Sequence, residues 1–185
     1  RVVSERLASM ADPHIIALSY TLTPLNHDGP ITFWTAVDGT VINDGVERYR
    51  DLEQRHLEPI DKSADADELL VRVRTSRSHI EVATRARIVV EGAQKTGIQA
   101  LTEPGRASLL FSVAGQKQQP VSVIKLAAIF TSRDQPAGSP SELTLAALEK
   151  AGGYRDVRAA SSRKWERLWQ EMDIRVSGDR FAQKM

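Results

Sequence analysis

The chain has 185 residues, with 25 Lys and Arg against 24 Asp and Glu and no cysteine. That length suits one domain with a proper core plus an appendage, and the even charge supplies no positive field to gather nucleic acid or an anionic membrane surface. The lack of cysteine removes disulfides, thiolate nucleophiles and cysteine-ligated zinc, and it fits a reducing, cytoplasmic setting.

From Arg1 to about Ser132 the dominant period is two. After the strand-like opening "RVVSERLASM", the run "HIIALSYTLT" puts Ile16, Leu18, Tyr20 and Leu22 on one face and Ala17, Ser19 and Thr21 on the other. In the turn "TPLNHDGP" that follows, Pro24, Asn26, Asp28, Gly29 and Pro30 are turn formers, each for its own backbone reason. His27 and Asp28 therefore read as the tip of a connection between strands. Next, "ITFWTAV" sets Ile31, Phe33, Thr35 and Val37 against Thr32, Trp34 and Ala36, with Asp38-Gly39 turning the chain. Pairing with the strand before it is the expectation.

The stretch Asn43 to Glu68 is charged and lacks alternation, so it is expected to be a long loop with a helical turn, of the kind that carries function or packs on a neighbour. Further strands are predicted at "LLVRVRT", "HIEVATRARIVV", "RASLLFSVA" and "QPVSVIKLAAIFTS". In the second of these, Ile80, Val82, Thr84, Ala86, Ile88 and Val90 alternate with Glu81, Ala83, Arg85 and Arg87, the pattern of a strand with one wet face. In the last, both faces are apolar from Ile124 to Phe130, which places it centrally in its sheet.

At "DQPAGSPSE" the period changes to about 3.6. Ser139, Pro140 and Glu142 fit N-cap, first helical position and capping-box acid, and Gly152-Gly153 stops that helix. A second helix is predicted over about Arg155 to Met172. There Val157, Ala160, Ser161, Trp165, Leu168, Trp169 and Met172 share a face opposite Arg158, Arg163, Glu166 and Arg167. Two tryptophans on one stripe can bury roughly 150–250 Å² each, so this face should meet either the sandwich or another domain. At the end, "SGDRFAQKM" places Asp179 as the N-cap of a helix that stops after about two turns. The chain is thus expected to be a piece of a longer protein.

The candidates for chemistry are sparse. His14, His27, His56 and His79 form no HxxxH, HExxH or HxH grouping, so no metal site is expected. No GxSxG elbow supports a Ser-His-Asp triad, and "GTVINDG" lacks the spacing of a phosphate cradle. Carboxylate pairs are the usual apparatus of glycoside hydrolysis. Here Asp38, Asp44, Glu47, Asp51 and Glu53 are interspersed with Arg48, Arg50 and Arg55, which reads as a solvated surface. No apolar run approaches the roughly 18 residues of a membrane helix, and nothing at the start reads as a signal peptide, so a soluble cytoplasmic protein is expected.

Several motifs together carry a resemblance. They are "SMADPH", "TPLN" followed by Gly29-Pro30, "AVDG", "NDGVERYR" closing on "RHL", and "KWERLWQEMDIRVSGD". From Arg6 to Leu57 the chain strongly resembles the N-terminal domain of glycoside hydrolase family 65, which includes maltose, trehalose and kojibiose phosphorylases and some trehalose hydrolases. The resemblance implies a mainly β chain, an antiparallel, galactose mutarotase-like β-supersandwich followed by C-terminal linker helices, cut from a larger multidomain enzyme. Residues 1–134 would then belong to the sandwich, 135–178 to a helical linker, and 179–185 to the start of an (α/α)6 catalytic barrel.

By the same resemblance the catalytic glutamate and the phosphate-binding residues lie in that barrel, so no catalytic, cofactor or metal residue is carried onto this chain. Inorganic phosphate would be a co-substrate of the parent enzyme, a homodimer acting on α-glucoside disaccharides. The contact candidates toward the barrel are Trp165, Leu168, Trp169 and Met172, together with the long loop. The competing reading is a stand-alone carbohydrate-binding sandwich using Trp34, and a structural adhesin-like domain is a third; aromatic residues make up only 5% of the chain, too few for a broad sugar-stacking platform.

Overall fold

The computed structural model describes residues 1–42, 45, 47–49, 51–52, 54–134 and 138–174. Among these residues nine strands come first: β1 (Val2–Ala8), β2 (Ile15–Leu22), β3 (Gly29–Asp38), β4 (Leu57–Ala64), β5 (Glu68–Thr75), β6 (Glu81–Glu91), β7 (Thr96–Glu103), β8 (Arg106–Gly115) and β9 (Val121–Thr131). Two helices follow, α1 (Pro140–Ala151) and α2 (Tyr154–Met172). The strands form two antiparallel sheets, one ordered β1-β2-β9-β6-β5-β4 and the other β3-β8-β7.

The expected central strand is central: β9 lies between β2 and β6, with Ala127 opposite both Ile16 and Ala86. Its two apolar faces serve two cores. Val121 and Val123 join Leu69, Val71, Ile88, Leu109, Phe111 and Val113 between the sheets. Ile124, Leu126 and Ala128 join Ile15, Ala17, Leu148, Tyr154 and Val157 beneath the helices. A strand covered on both faces reads as a nearly continuous apolar run, interrupted here by Lys125 alone between Ile124 and Phe130.

Three expectations are corrected and one strand is added. β3 does not pair with β2; it leaves that sheet and pairs with β8, from Gly29 opposite Gly115 to Asp38 opposite Arg106. The turn "TPLNHDGP" is thus a crossing between layers. Polar turn residues fit a hairpin and a crossing equally well, and only the long-range partner separates them. Secondly, the region expected to be a loop contains β4, paired with β5 through a register shift between Pro59 and Asp61. As an edge strand with an exposed face it has no apolar alternation to reveal it. The helical turn is there, at Glu47–Tyr49.

Thirdly, β7 was not foreseen, because all eight of its residues are exposed and it borders a single neighbour. Finally, the face of β6 expected to be wet is covered by α1. Ala83 is fully buried there, Arg85 Nε donates to Thr144 Oγ1 at 3.2 Å, and Arg87 Nη1 donates to the Leu148 carbonyl at 3.2 Å. Arginines alternating along a strand look solvated in sequence, yet their donors here serve a helix.

At the helix ends, Gly152 stops α1 with φ 72°, a region glycine enters without a Cβ penalty. Ser139 occupies the N-cap position, but its side chain makes no capping bond. α2 is capped from within, Asp156 Oδ2 accepting the Gly153 N–H at 2.8 Å. In the "AVDG" motif, Gly39 is needed for space: a Cβ there would sit 2.6 Å from Val73 Cγ1 and 3.0 Å from Val71 Cγ1. The Gly39 N–H bonds the Gly105 carbonyl at 2.8 Å, tying the end of β3 to the β7–β8 turn.

These ties give the sandwich two distinct ends. At one end lie the β1–β2 turn, the residues after β3, the start of β4 and the β5–β6 turn, joined by Ser76 N–H to His56 O at 2.9 Å and Ile129 N–H to His14 O at 3.0 Å. The β2–β3 crossing lies at the other, where Gln118 N–H bonds Pro24 O at 2.7 Å and Lys117 N–H bonds Asp28 Oδ1 at 2.5 Å.

Candidate functional site

The first half of α2 packs on the sandwich and the second half leaves it. Tyr154, Val157 and Ser161 are buried. Arg158 Nη1 lies 3.5 Å from Glu5 Oε1 of β1, and in the β1–β2 turn the Met10 N–H donates to Ser161 Oγ at 3.1 Å. Burial, then the Glu5 charge, push the Tyr154 phenol above its ordinary pKa, keeping it neutral. The helix is thus tied first to β1 at Glu5 and then, at Ser161, to the end of the sandwich that carries the β1–β2 turn.

Beyond Ser161 most of it is exposed. Trp165 is 48% exposed, Trp169 62% and Met172 70%, with Leu168 half-buried. From Ser161 to Met172 the helix extends about 16 Å at 1.5 Å per residue. All four predicted contact residues lie on this projecting half, on the face that continues the buried stripe of Tyr154, Val157 and Ser161. Propensity alone does not justify two exposed tryptophans on one stripe of a surface helix. The expected burial of the whole face is thus realised for its first half only.

The other candidates resolve into structural roles. His14 stacks on Phe130 at 3.8 Å between ring centroids and its Nδ1 donates to the Ile129 carbonyl at 2.9 Å. His27 is exposed, with its Nδ1 3.3 Å from Asn26 Oδ1. His79 holds positive φ in the β5–β6 turn, and the His56 carbonyl anchors that same turn. Among the described residues no His, Asp and Glu cluster could hold a metal.

Asp38 is held below its ordinary pKa first by the Thr40 hydroxyl at 2.7 Å, then by the Thr40 N–H at 2.8 Å, and also by the nearby Arg106 charge, so it is an anionic turn cap. Asp44, Arg50 and Glu53 lie outside the described residues, as does Asp179. Two carboxylates do share a cleft of about 230 Å³ under the α1–α2 elbow, Asp12 and Asp156. Each is committed to backbone, Asp12 Oδ1 to the His14 N–H at 3.0 Å and Asp156 to Gly153. Trp34, 58% exposed on the outer face of the three-stranded sheet, has the Arg106 guanidinium 4.8 Å from its ring centroid. One side of the ring that a sugar would stack on is thus engaged by a cation.

Comparison with known proteins accords with this arrangement. The profile of "Glycosyl hydrolase family 65, N-terminal domain" matches residues 1–168. An uncharacterized glycosyl hydrolase of Mycobacterium tuberculosis is 33% identical over 181 residues, covering 96% of this chain and 14% of that protein. The kojibiose phosphorylase of Halothermothrix orenii is 28% identical, and the alpha,alpha-trehalose phosphorylase of Thermoanaerobacter brockii 25% identical. These cover 99% and 97% of this chain, and the chain spans 24% of each of them. A solved structure described as a kojibiose phosphorylase from the human microbiome superposes with a TM-score of 0.76 at 10% identity, covering 91% of this chain and 21% of that one. It shares the fold.

Proposed function

The chain belongs to glycosyl hydrolase family 65, matching its N-terminal domain, and from that premise we propose that it is the non-catalytic part of an enzyme that splits an α-glucoside disaccharide with inorganic phosphate. The products would be β-glucose 1-phosphate and a free sugar, with inversion at the anomeric carbon. An inverting hydrolase needs one carboxylic acid to protonate the leaving oxygen and a second carboxylate to activate water. With phosphate as the nucleophile the second carboxylate is unnecessary, so one acid and an anion site suffice. Both belong to the catalytic barrel in this reading, which is supported by the phosphorylases among the relatives.

The role of this domain is to support that barrel. The observation that carries the reading is the α2 stripe, which continues off the sandwich as Trp165, Leu168, Trp169 and Met172. The end of the sandwich from which α2 projects also presents Val41 and Ile42, both exposed, in the segment after β3. That end would face the barrel and shape the active-site rim, within a cytoplasmic homodimer. Trp165→Ala with Trp169→Ala in the full-length enzyme tests the docking role. The expected result is a lowered melting temperature and reduced turnover; unchanged melting, turnover and oligomeric state would refute it. Release of glucose 1-phosphate only when phosphate is supplied separates phosphorolysis from hydrolysis.

A further inference from the structure

The "SMADPH" motif has no part in the chemistry above, yet it builds the β1–β2 turn and ties it with several hydrogen bonds. The Ser9 N–H bonds Ile15 O at 2.9 Å, the Asp12 N–H bonds Ser9 Oγ at 3.1 Å, and the His14 N–H bonds Asp12 Oδ1 at 3.0 Å. The Ile15 N–H returns to Asp12 O at 3.2 Å, and the His14 ring is fixed on Phe130. The Met10 N–H is taken by Ser161 Oγ of α2 at 3.1 Å. The tip of this tied turn offers an apolar side chain: Met10 is 38% exposed.

Ser161 is the last buried residue of α2, and Trp165 lies about one helical turn beyond it on the same face, about 6 Å along the axis. The bond to Ser161 therefore sets Met10 beside the point where the tryptophan stripe leaves the sandwich. We infer that the docking surface is composite, formed by the β1–β2 turn and the projecting half of α2 together, and that an apolar concavity of the catalytic domain of the same polypeptide seats over Met10, Trp165, Trp169 and Met172. Continuity of the stripe with the buried face favours one contiguous contact, and the chain's 24% share of the phosphorylase relatives leaves room for that occupant in the same polypeptide. The inference rests on the docking role proposed above. Methionine suits such a seat because its flexible thioether fills irregular gaps.

Hydroxyl-radical footprinting of the full-length enzyme, read by mass spectrometry, tests it, because methionine and tryptophan oxidise readily when exposed. Rates are taken relative to the same protein unfolded in urea. Met10 at its 38% exposure would react about 2.6-fold more slowly than when unfolded, whereas seating in an interface core, where water is excluded, slows it by about tenfold or more. The expected result is slowing of that larger size at Met10, Trp165, Trp169 and Met172 alike. Protection of the three α2 residues with Met10 slowed only about 2.6-fold overturns the composite surface and leaves the docking role standing. If none of the four is protected beyond its exposure in this structure, both fail.

Discussion

Arg85 reaches from the middle of β6 to α1, its Nε donating to Thr144 Oγ1 at 3.2 Å and its Nη2 to Ser141 Oγ at 3.3 Å, while Nη1 pairs with Glu68. Its side chain is 14% exposed. The helix is thus held on the sheet by a nearly buried cation with three partners, beside the apolar seat of Leu148. Arg85→Ala would leave the Glu68 carboxylate and two hydroxyls without this donor. The expected loss is about 2–4 kcal/mol, measured as the shift of this domain's transition in denaturant unfolding. Arg77→Ala, at an exposed turn, should cost within about 0.5 kcal/mol.

Lys125 points from β9 into the gap between the sheets, and its Nζ donates to the Ala36 carbonyl at 2.5 Å. Burial lowers its pKa below the ordinary value of 10.5. A lysine whose folded pKa is depressed binds fewer protons folded than unfolded, so stability rises with pH between the lowered folded value and about 10.5. Relative to Lys125→Met, the natural protein should therefore gain stability as pH is raised across that window. Unfolding free energies of both proteins at pH 7 and pH 10 measure the difference; a gap that does not change with pH would show that burial leaves this amine untouched.

His27 and Asp28 sit at the end of the sandwich opposite the projecting half of α2. His27→Ala should change neither turnover nor stability by more than about 0.5 kcal/mol. Asp28→Asn keeps an acceptor for the Lys117 N–H but removes its charge, so a small loss of stability with unchanged turnover is expected. Steady-state kinetics of the full-length variants would decide it, and a selective loss of turnover in either would place this turn near the active site.

The strand period was legible wherever a face is buried against the core, as in β9, whose run from Ile124 to Phe130 announced its central place. It failed at β4 and β7, edge strands whose exposed positions carry no alternation to read. Helix positions were legible from Pro140 and the Gly152-Gly153 pair, because capping and positive φ are local demands. The stripe of Trp165, Leu168, Trp169 and Met172 was likewise visible as spacing. Met10 was not, since its significance comes from Ser161, 151 positions away in the chain.

What the sequence determined by itself, then, is whatever depends on near neighbours: strands against helices, turn residues, caps and the composition of each face. Only the tertiary structure decided partners. It sent β3 across to β8, laid α1 over Arg85 and Arg87, and left most of α2 beyond Ser161 exposed. The physical reason is that hydrophobic burial is non-directional. An apolar or amphipathic face states that it must be covered, and the long-range arrangement of the chain settles what covers it.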